Sequence, residues 1–316
     1  MTILITGATG CVGRYIVDRF LAETGHDLLL LVRRPEALPL AVREESRVRV
    51  ERLDLADPAL ALPDLSSVRV AILVATAWGG PEAVRVIRDA NLALSDRLIE
   101  AGCQRIMYFS TASVLDADTS LLEAARDYGT EYIRGKLALT EAMEARADRA
   151  EIVGLFPTLV IGGQSGGDLP LSHFANLLHQ LRRWVWLLRF LDVEAKLHVI
   201  HAADIATICV HLSDQDEGGS GSRRLVLGNP ADSVDALVRG YAGYVGLARL
   251  RLLRLRPALA QAFIWLFGIQ LSPWDRYCME HPDQSYQRAV NPAQFGLPVH
   301  MADLRAGLRE IGVKPR

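Results

Sequence analysis

The sequence predicts an α/β fold, a doubly wound parallel sheet followed by a smaller, mainly helical C-terminal region. Three observations carry that expectation. At the start of the chain an apolar run meets a glycine-rich turn that opens a helical pattern. Strand and helix signals then alternate through the first half. Past Gly162 the alternation weakens, and helical spacing with loops takes over.

Ile3-Leu4-Ile5 reads as a short buried strand. Thr6–Gly13 supplies the turn, and Arg14–Leu21 repeats its apolar residues at helical spacing. Asp27–Val32 is a second strand, apolar after its first residue. Val48–Leu53 and Val68–Val74 are the next two, and a helix is expected from about Glu82 to Ala101. Arg105–Phe109 and Ile152–Leu155 are strands on either side of a helical pattern that opens at Tyr132. His198–Ile200 and Leu225–Leu227 read as later strands.

Composition permits this fold and excludes some functions. The chain has 316 residues, half of them hydrophobic, which is ample for a core. A net charge of −2 gives no argument for nucleic acid. Cys11, Cys103, Cys209 and Cys278 are scattered without a C-x-x-C pair, so neither a disulfide framework nor a metal knuckle is expected. His173 and His179, or His198 and His201, have no acidic partner at ligand spacing. The chain enters its first strand at once, so no leader and a cytoplasmic location are expected. Asp214–Ser222 reads as a surface loop.

A strand, a glycine-rich turn and a helix N-terminus make a dinucleotide site of the Rossmann type. The glycines let the backbone approach a pyrophosphate, and the helix start offers unpaired N–H groups. Gly7, Thr9, Gly10, Cys11, Val12 and Gly13 form that turn, spaced G-x-x-G-x-x-G. Arg33 stands twenty residues past Gly13, where an acid would accept from the ribose of NAD. A guanidinium pairs with a 2′-phosphate, so NADP is favoured over NAD.

Ser110-Thr111-Ala112-Ser113 follows the Arg105–Phe109 strand. Tyr132 and Lys136 lie four apart on the next helix and share a face. A nearby ammonium favours phenolate, so Lys136 is expected to lower the pKa of Tyr132. Thr111 would then hold a substrate oxygen while Tyr132 moves its proton.

Together these residues resemble the extended short-chain dehydrogenase/reductase family, also called the NAD-dependent epimerase/dehydratase family. The resemblance runs over nearly the whole chain. It implies an adenine contact at Asp54 with Leu55, and a backbone turn beside the adenine ribose at Ala75-Thr76-Ala77. It implies a supporting asparagine at Asn91 and catalytic roles for Thr111, Tyr132 and Lys136, with Ser110 the lesser reading of the hydroxyl. Phe156–Gly162, with Pro157 and Val160 against the nicotinamide, and Val199–Ala206 match two later family segments. The domains implied are 1–162 for the cofactor, with 196–212 returning to it, and 163–195 plus 213–316 for the substrate.

Departures from the family pattern bear on the substrate. Ala195-Lys196-Leu197-His198 lacks the arginine that pairs with a nucleotide pyrophosphate. Ile161 and Leu115 replace family tyrosines, and Phe156 replaces an arginine. Arg182–Leu191 and Ala258–Leu271 are apolar and aromatic, the latter with Phe263, Trp265 and Phe267. Arg249, Arg251, Arg254 and Arg256 precede the second run, the composition of an interfacial rather than a spanning helix. The expectation is an NADP-dependent oxidoreductase that interconverts carbonyl and alcohol on a hydrophobic small molecule. A sugar-nucleotide epimerase or dehydratase is the first alternative, and a non-enzymatic dinucleotide sensor or assembly protein the second. Contact with a membrane surface and a homodimer are left open.

Overall fold

The computed structural model describes residues 1–57, 62–77, 85–192, 194–215, 219–248, 250, 253–254 and 271–315. Eight strands form one parallel sheet. They are β1 (Thr2–Thr6), β2 (Asp27–Val32), β3 (Val48–Arg52), β4 (Val68–Leu73), β5 (Arg105–Phe109), β6 (Glu151–Pro157), β11 (Gly221–Leu227) and β14 (Ala289–Val290). Their order across the sheet is β14-β11-β6-β5-β4-β1-β2-β3. The order reverses direction between β1 and β4, the crevice where such sheets bind ligands at their C-terminal ends. Six short strands stand outside it: β7 (Leu159–Ile161) pairs with β10 (Val199–His201), β9 (Lys196–Leu197) with β12 (Asp232–Ser233), and β8 (Leu191–Asp192) with β13 (Leu253–Arg254).

The central strands are apolar on both faces because helices cover both. On one side Ile3, Ile5, Leu28 and Leu30 pack with Ile16, Val17 and Phe20 of helix Cys11–Glu23 and with Ile205 and Ile208 of helix Ala202–Ser213. On the other, Leu4, Leu29 and Leu31 share a core with Leu94 and Leu98 of helix Asn91–Glu100 and Leu137 and Met143 of helix Glu131–Glu144. The alternation follows from the period-two side-chain geometry of a strand. A third core gathers Ile161, Leu178, Tyr241 and Leu308 in the C-terminal region.

Two sequence expectations shift. Residues 213–316 do not stay out of the sheet: β11 pairs with β6 along its full length, and β14 extends the edge. Arg223 and Arg224 masked that strand, since they break its apolar run; they pair with Glu151 at 3.0 Å and Glu144 at 2.6 Å. The helix expected from Glu82 begins, within the described residues, as a π-helical segment Arg85–Ala90 before helix Asn91–Glu100. Segments of this kind gather at functional sites. The aromatic run with Phe263, Trp265 and Phe267, and Arg249, Arg251 and Arg256, lie outside the described residues. Among the described residues no helix is long and apolar enough to cross a membrane.

Candidate active site

The glycine turn is shaped by what a side chain would hit. Gly7 sits at φ +71°, and a Cβ there would lie 2.8 Å from the Ala75 nitrogen. A Cβ on Gly13 would lie 2.1 Å from the Gly7 carbonyl oxygen. Gly10 caps helix Cys11–Glu23 without a side-chain bond, and the first turn of that helix carries no acid. Its N–H groups and positive dipole end therefore face outward beside Thr9, Cys11 and Val12. Burial pushes the Cys11 thiol up to about 12, so it stays neutral there.

Of the remaining dinucleotide positions, Ala75 is tied to this turn. The Ala75 N–H donates to the Thr6 hydroxyl at 3.1 Å, which holds Ala75-Thr76-Ala77 against the glycines. The Thr76 hydroxyl is buried and makes no hydrogen bond within the protein, so it is set for a bound polar group. Arg33 is exposed where β2 ends, and the first acid after it, Glu36, pairs with Arg52 at 3.0 Å. Asp54 is exposed after β3, accepts from the Ala56 N–H at 2.9 Å, and is followed by half-buried Leu55. Pro157 ends β6, and Val160 lies half-buried in β7. A cradle closed to any Cβ, an orphaned hydroxyl and an acid-free helix start together fit a dinucleotide.

Lys136 reaches the C-terminal end of β5, two residues before Thr111, and Tyr132 stands one turn before it on the same helix. Thr130 caps helix Glu131–Glu144 by accepting from the Ile133 N–H at 3.3 Å, and the helix presents Tyr132 and Lys136 one turn apart. Lys136 is 2% exposed, and its Nζ donates to the Phe109 carbonyl at 2.7 Å, two residues before Thr111. The same Nζ stands 5.8 Å from the Tyr132 ring centroid. Thr111 caps the short 3-10 turn Ala112–Val114, its hydroxyl 3.4 Å from the Ser113 nitrogen.

The electrostatics depart from the expectation at Tyr132. Its phenol is pushed up to about 12 by burial instead of being lowered by the lysine. Desolvation also brings Lys136 down to about 7, which weakens the charge that would have favoured phenolate. In this arrangement Tyr132 holds its proton at neutral pH.

Ser110 is turned away from this chemistry. Its hydroxyl accepts from Thr140 at 3.1 Å and donates to the Lys136 carbonyl at 3.4 Å, tying β5 to the helix. Asn91 is 2% exposed and donates to the carbonyls of Val86 at 2.8 Å and Ile87 at 3.1 Å. Its Oδ1 is buried with no hydrogen bond within the protein, an acceptor held ready beside the π-helical segment.

Sequence reasoning missed the strap that covers the Thr111 turn. The Tyr286 hydroxyl donates to the Ala112 carbonyl at 2.7 Å, and its N–H donates to His198 Nε2 at 2.9 Å. His198 Nδ1 in turn lies 2.7 Å from the Asn229 carbonyl, which fixes the neutral tautomer with its proton on Nδ1. No local pattern signals this, because Ala112 and Tyr286 stand 174 residues apart. Lys196 is exposed and pairs loosely with Asp283 at 3.8 Å, while Arg189 lies over the Phe190 ring at 4.7 Å. His173 is exposed at the first position of helix His173–Leu181.

A second cluster lies behind the glycine turn. His201, fully buried, stands 3.3 Å from Glu310, which also takes bonds from His300 at 2.8 Å and Tyr15 at 3.2 Å. The ligand atoms of His201, His300 and Glu310 lie within 4.8 Å of one another. Sequence spacing concealed this grouping. His201 Nδ1 accepts from the Ala203 N–H at 3.1 Å, so the neutral ring carries its proton on Nε2, toward Glu310. The two imidazoles stack, with centroids 4.6 Å apart. His201 Nε2 makes no hydrogen bond despite the short distance to Glu310, and the protonated Nε2 and the stacked rings suit a polar junction better than a metal. Asp204, also buried, accepts from the N–H groups of His300 at 2.7 Å and Met301 at 3.4 Å, closing the same junction.

Comparison with known proteins agrees with this fold. No curated protein matches the sequence. Among solved structures, MoeE5 in complex with UDP-glucuronic acid and NAD is 20% identical, with a TM-score of 0.66 over 98% of this chain and 97% of that one. The Bordetella bronchiseptica enzyme WbmG in complex with NAD and UDP is 15% identical, with a TM-score of 0.63 over 98% and 91%. The terminal R domain from the myxalamid PKS-NRPS biosynthetic pathway is 18% identical, with a TM-score of 0.68 over 98% and 88%. At these identities the likeness is one of fold. The sequence model of the NAD dependent epimerase/dehydratase family matches residues 3–228, and the chain belongs to that family.

Proposed function

We propose that the protein is a dinucleotide-dependent enzyme that acts at a secondary alcohol of a nucleotide sugar, as an epimerase or dehydratase. The Tyr132–Lys136 pair anchored to the end of β5, which Thr111 follows, together with the glycine turn at the end of β1, carries the reading. The family match and neighbours solved with NAD and with UDP or a UDP-sugar support the substrate class. They fit this substrate class better than the hydrophobic carbonyl compound expected from the apolar C-terminal runs.

The nicotinamide, when bound, supplies or accepts the hydride. Thr111 would orient the substrate oxygen by hydrogen bonding. Tyr132 Oη would take the alcohol's proton as a phenolate in the oxidation half, a form that burial opposes and a positive nicotinamide would favour, and would return that proton to the carbonyl oxygen in the reduction half. Lys136 anchors the helix to the Phe109 carbonyl, and its Nζ stands 5.8 Å from the Tyr132 ring centroid. Arg33 supports NADP, since no acid stands at the end of β2 to select the ribose hydroxyl.

One observation favours a second reading. Phe156 and Ile161 are fully buried where the family's nucleotide-sugar enzymes carry arginine and tyrosine, which suits reduction of a hydrophobic carbonyl compound. A substrate panel separates the two. Nucleotide sugars should be converted with a catalytic amount of dinucleotide and no net change in its absorbance. Stoichiometric NADPH oxidation by hydrophobic ketones, with nucleotide sugars inert, would overturn the proposal for the second reading.

A further inference from the structure

We propose that Tyr286 is a positioning residue, whose hydroxyl holds the turn that aims Thr111 at the substrate oxygen. The inference rests on the catalytic role proposed for Thr111. That side chain does little to fix itself. Its hydroxyl lies 3.4 Å from both the Ser113 nitrogen and the Ser113 hydroxyl, which is long for hydrogen bonds. The 3-10 turn Ala112–Val114 that it caps is only three residues long. Within it the Val114 N–H donates to the Thr111 carbonyl at 3.2 Å, and the Leu115 N–H to the Ala112 carbonyl at 2.9 Å. Hydrogen-bond geometry is poor in short turns of this kind, so support from outside matters.

Tyr286 supplies that support. Its hydroxyl donates to the Ala112 carbonyl at 2.7 Å, a shorter contact than either backbone bond inside the turn. The hydroxyl is held in place before any substrate arrives. The Gln284 N–H donates to the Lys196 carbonyl at 3.0 Å, the Tyr286 N–H to His198 Nε2 at 2.9 Å, and the Gln287 N–H to the Ala117 carbonyl at 2.9 Å. The strap is thus pinned to β9 and β10 on one side and to the segment after the turn on the other. His198, 4% exposed, sets its ring against that of Tyr286, with centroids 5.7 Å apart. Burial raises the Tyr286 phenol above its ordinary pKa, with Asp116 and Cys278 adding to the shift, so it keeps the proton it donates. Packing alone does not need that hydroxyl, because a phenylalanine ring would fill the same place on the core that includes Val114 and Leu115. The directed bond to the carbonyl next in sequence to Thr111 serves alignment, and a misplacement of about 1 Å at a reacting group can cost about 100-fold in rate.

Tyr286→Phe tests this, since it keeps the ring and removes the hydroxyl. Hydrogen exchange over residues 112–117 should become about 5- to 10-fold faster, the equivalent of one net hydrogen bond. Exchange in helix Glu131–Glu144, the unfolding midpoint and dinucleotide affinity should stay at wild-type values. Turnover is read with UDP-glucuronic acid, or with a hydrophobic ketone and NADPH if the substrate panel selects that class, so the inference is tested even where the nucleotide-sugar reading fails. In either case kcat should fall about 10- to 100-fold with little change in KM. Added to Thr111→Val, the same substitution should lower turnover by less than about twofold further, because residues acting through one group are not additive. Unchanged exchange over residues 112–117 overturns the proposal whatever the activity, and so does a wild-type kcat. Full additivity with Thr111→Val overturns it too, by giving Tyr286 a route that avoids Thr111. Wild-type turnover by Thr111→Val alone is a different result: it removes the catalytic role of Thr111 and takes the inference with it.

Discussion

Arg33 shows what one side chain can decide. The proposed preference for NADP rests on its exposed guanidinium at the end of β2, since a guanidinium pairs with a 2′-phosphate. Arg33→Ala should weaken NADPH binding by about 1.5–3 kcal/mol, the range of a charge-assisted bond, and leave NADH nearly unchanged. Isothermal titration with both cofactors checks it; equal wild-type affinities would refute the selectivity. The glycine turn and the Tyr132–Lys136 pair were legible as short local patterns, a strand-turn-helix and a spacing of four on a helix, whereas Asp54, Thr76 and Asn91 were placed only by the family resemblance. The electrostatics were not. The downward pull of Lys136 on Tyr132 was inferred from proximity, but burial acts on both groups and dominates, raising the phenol and lowering the ammonium.

The strands depend on polar ties that apolar patterning does not reveal. Arg105, 3% exposed at the start of β5, pairs with Glu151 of β6 at 2.5 Å, and Glu151 also takes Arg223 of β11 at 3.0 Å. Removing one partner leaves a buried charge uncompensated. Glu151→Ala should cost about 3–5 kcal/mol in urea unfolding; a loss below about 1 kcal/mol would show that water or carbonyl partners suffice. The pairing also explains which strands could be read. β1, β2 and β5 are continuous apolar runs and stood out. The strand at β11 was reduced to Leu225–Leu227 because its first half spends charged residues on neighbouring strands. The Tyr286 strap and the π-helical segment before Asn91 were hidden for another reason: each is fixed by contacts between residues far apart or by a local helix period that composition does not encode.

On the scale of the whole molecule, the chain closes on itself through the His201 junction. Helix Leu304–Glu310 brings Glu310 to His201, His300 and Tyr15, and Tyr15 belongs to the helix that opens at the glycine turn. Burial lowers His201 to about 4 from its ordinary 6.5, with Glu310 opposing and His300 adding to the shift. Between those values the unfolded chain binds more protons than the folded one, so stability falls as pH drops from about 6.5 to 4. The loss attributable to His201 should be on the order of 2–3 kcal/mol. His201→Asn keeps an acceptor for the Ala203 N–H and should flatten that slope in thermal unfolding against pH; an unchanged slope would place the acid sensitivity elsewhere. The overall architecture could be anticipated from alternating patterns, yet this closure could not, because residues 201 and 310 share no local motif.

Turnover by Tyr132→Phe tests the proposed chemistry most directly. The substitution keeps the ring and its packing and removes only the proton that Tyr132 is assigned to move. With the substrate identified by the panel, turnover should fall by roughly 100- to 10,000-fold while dinucleotide affinity stays within about twofold of wild type. Turnover close to wild type, with the dinucleotide still bound, would remove Tyr132 from the reaction and contradict the assignment of this site.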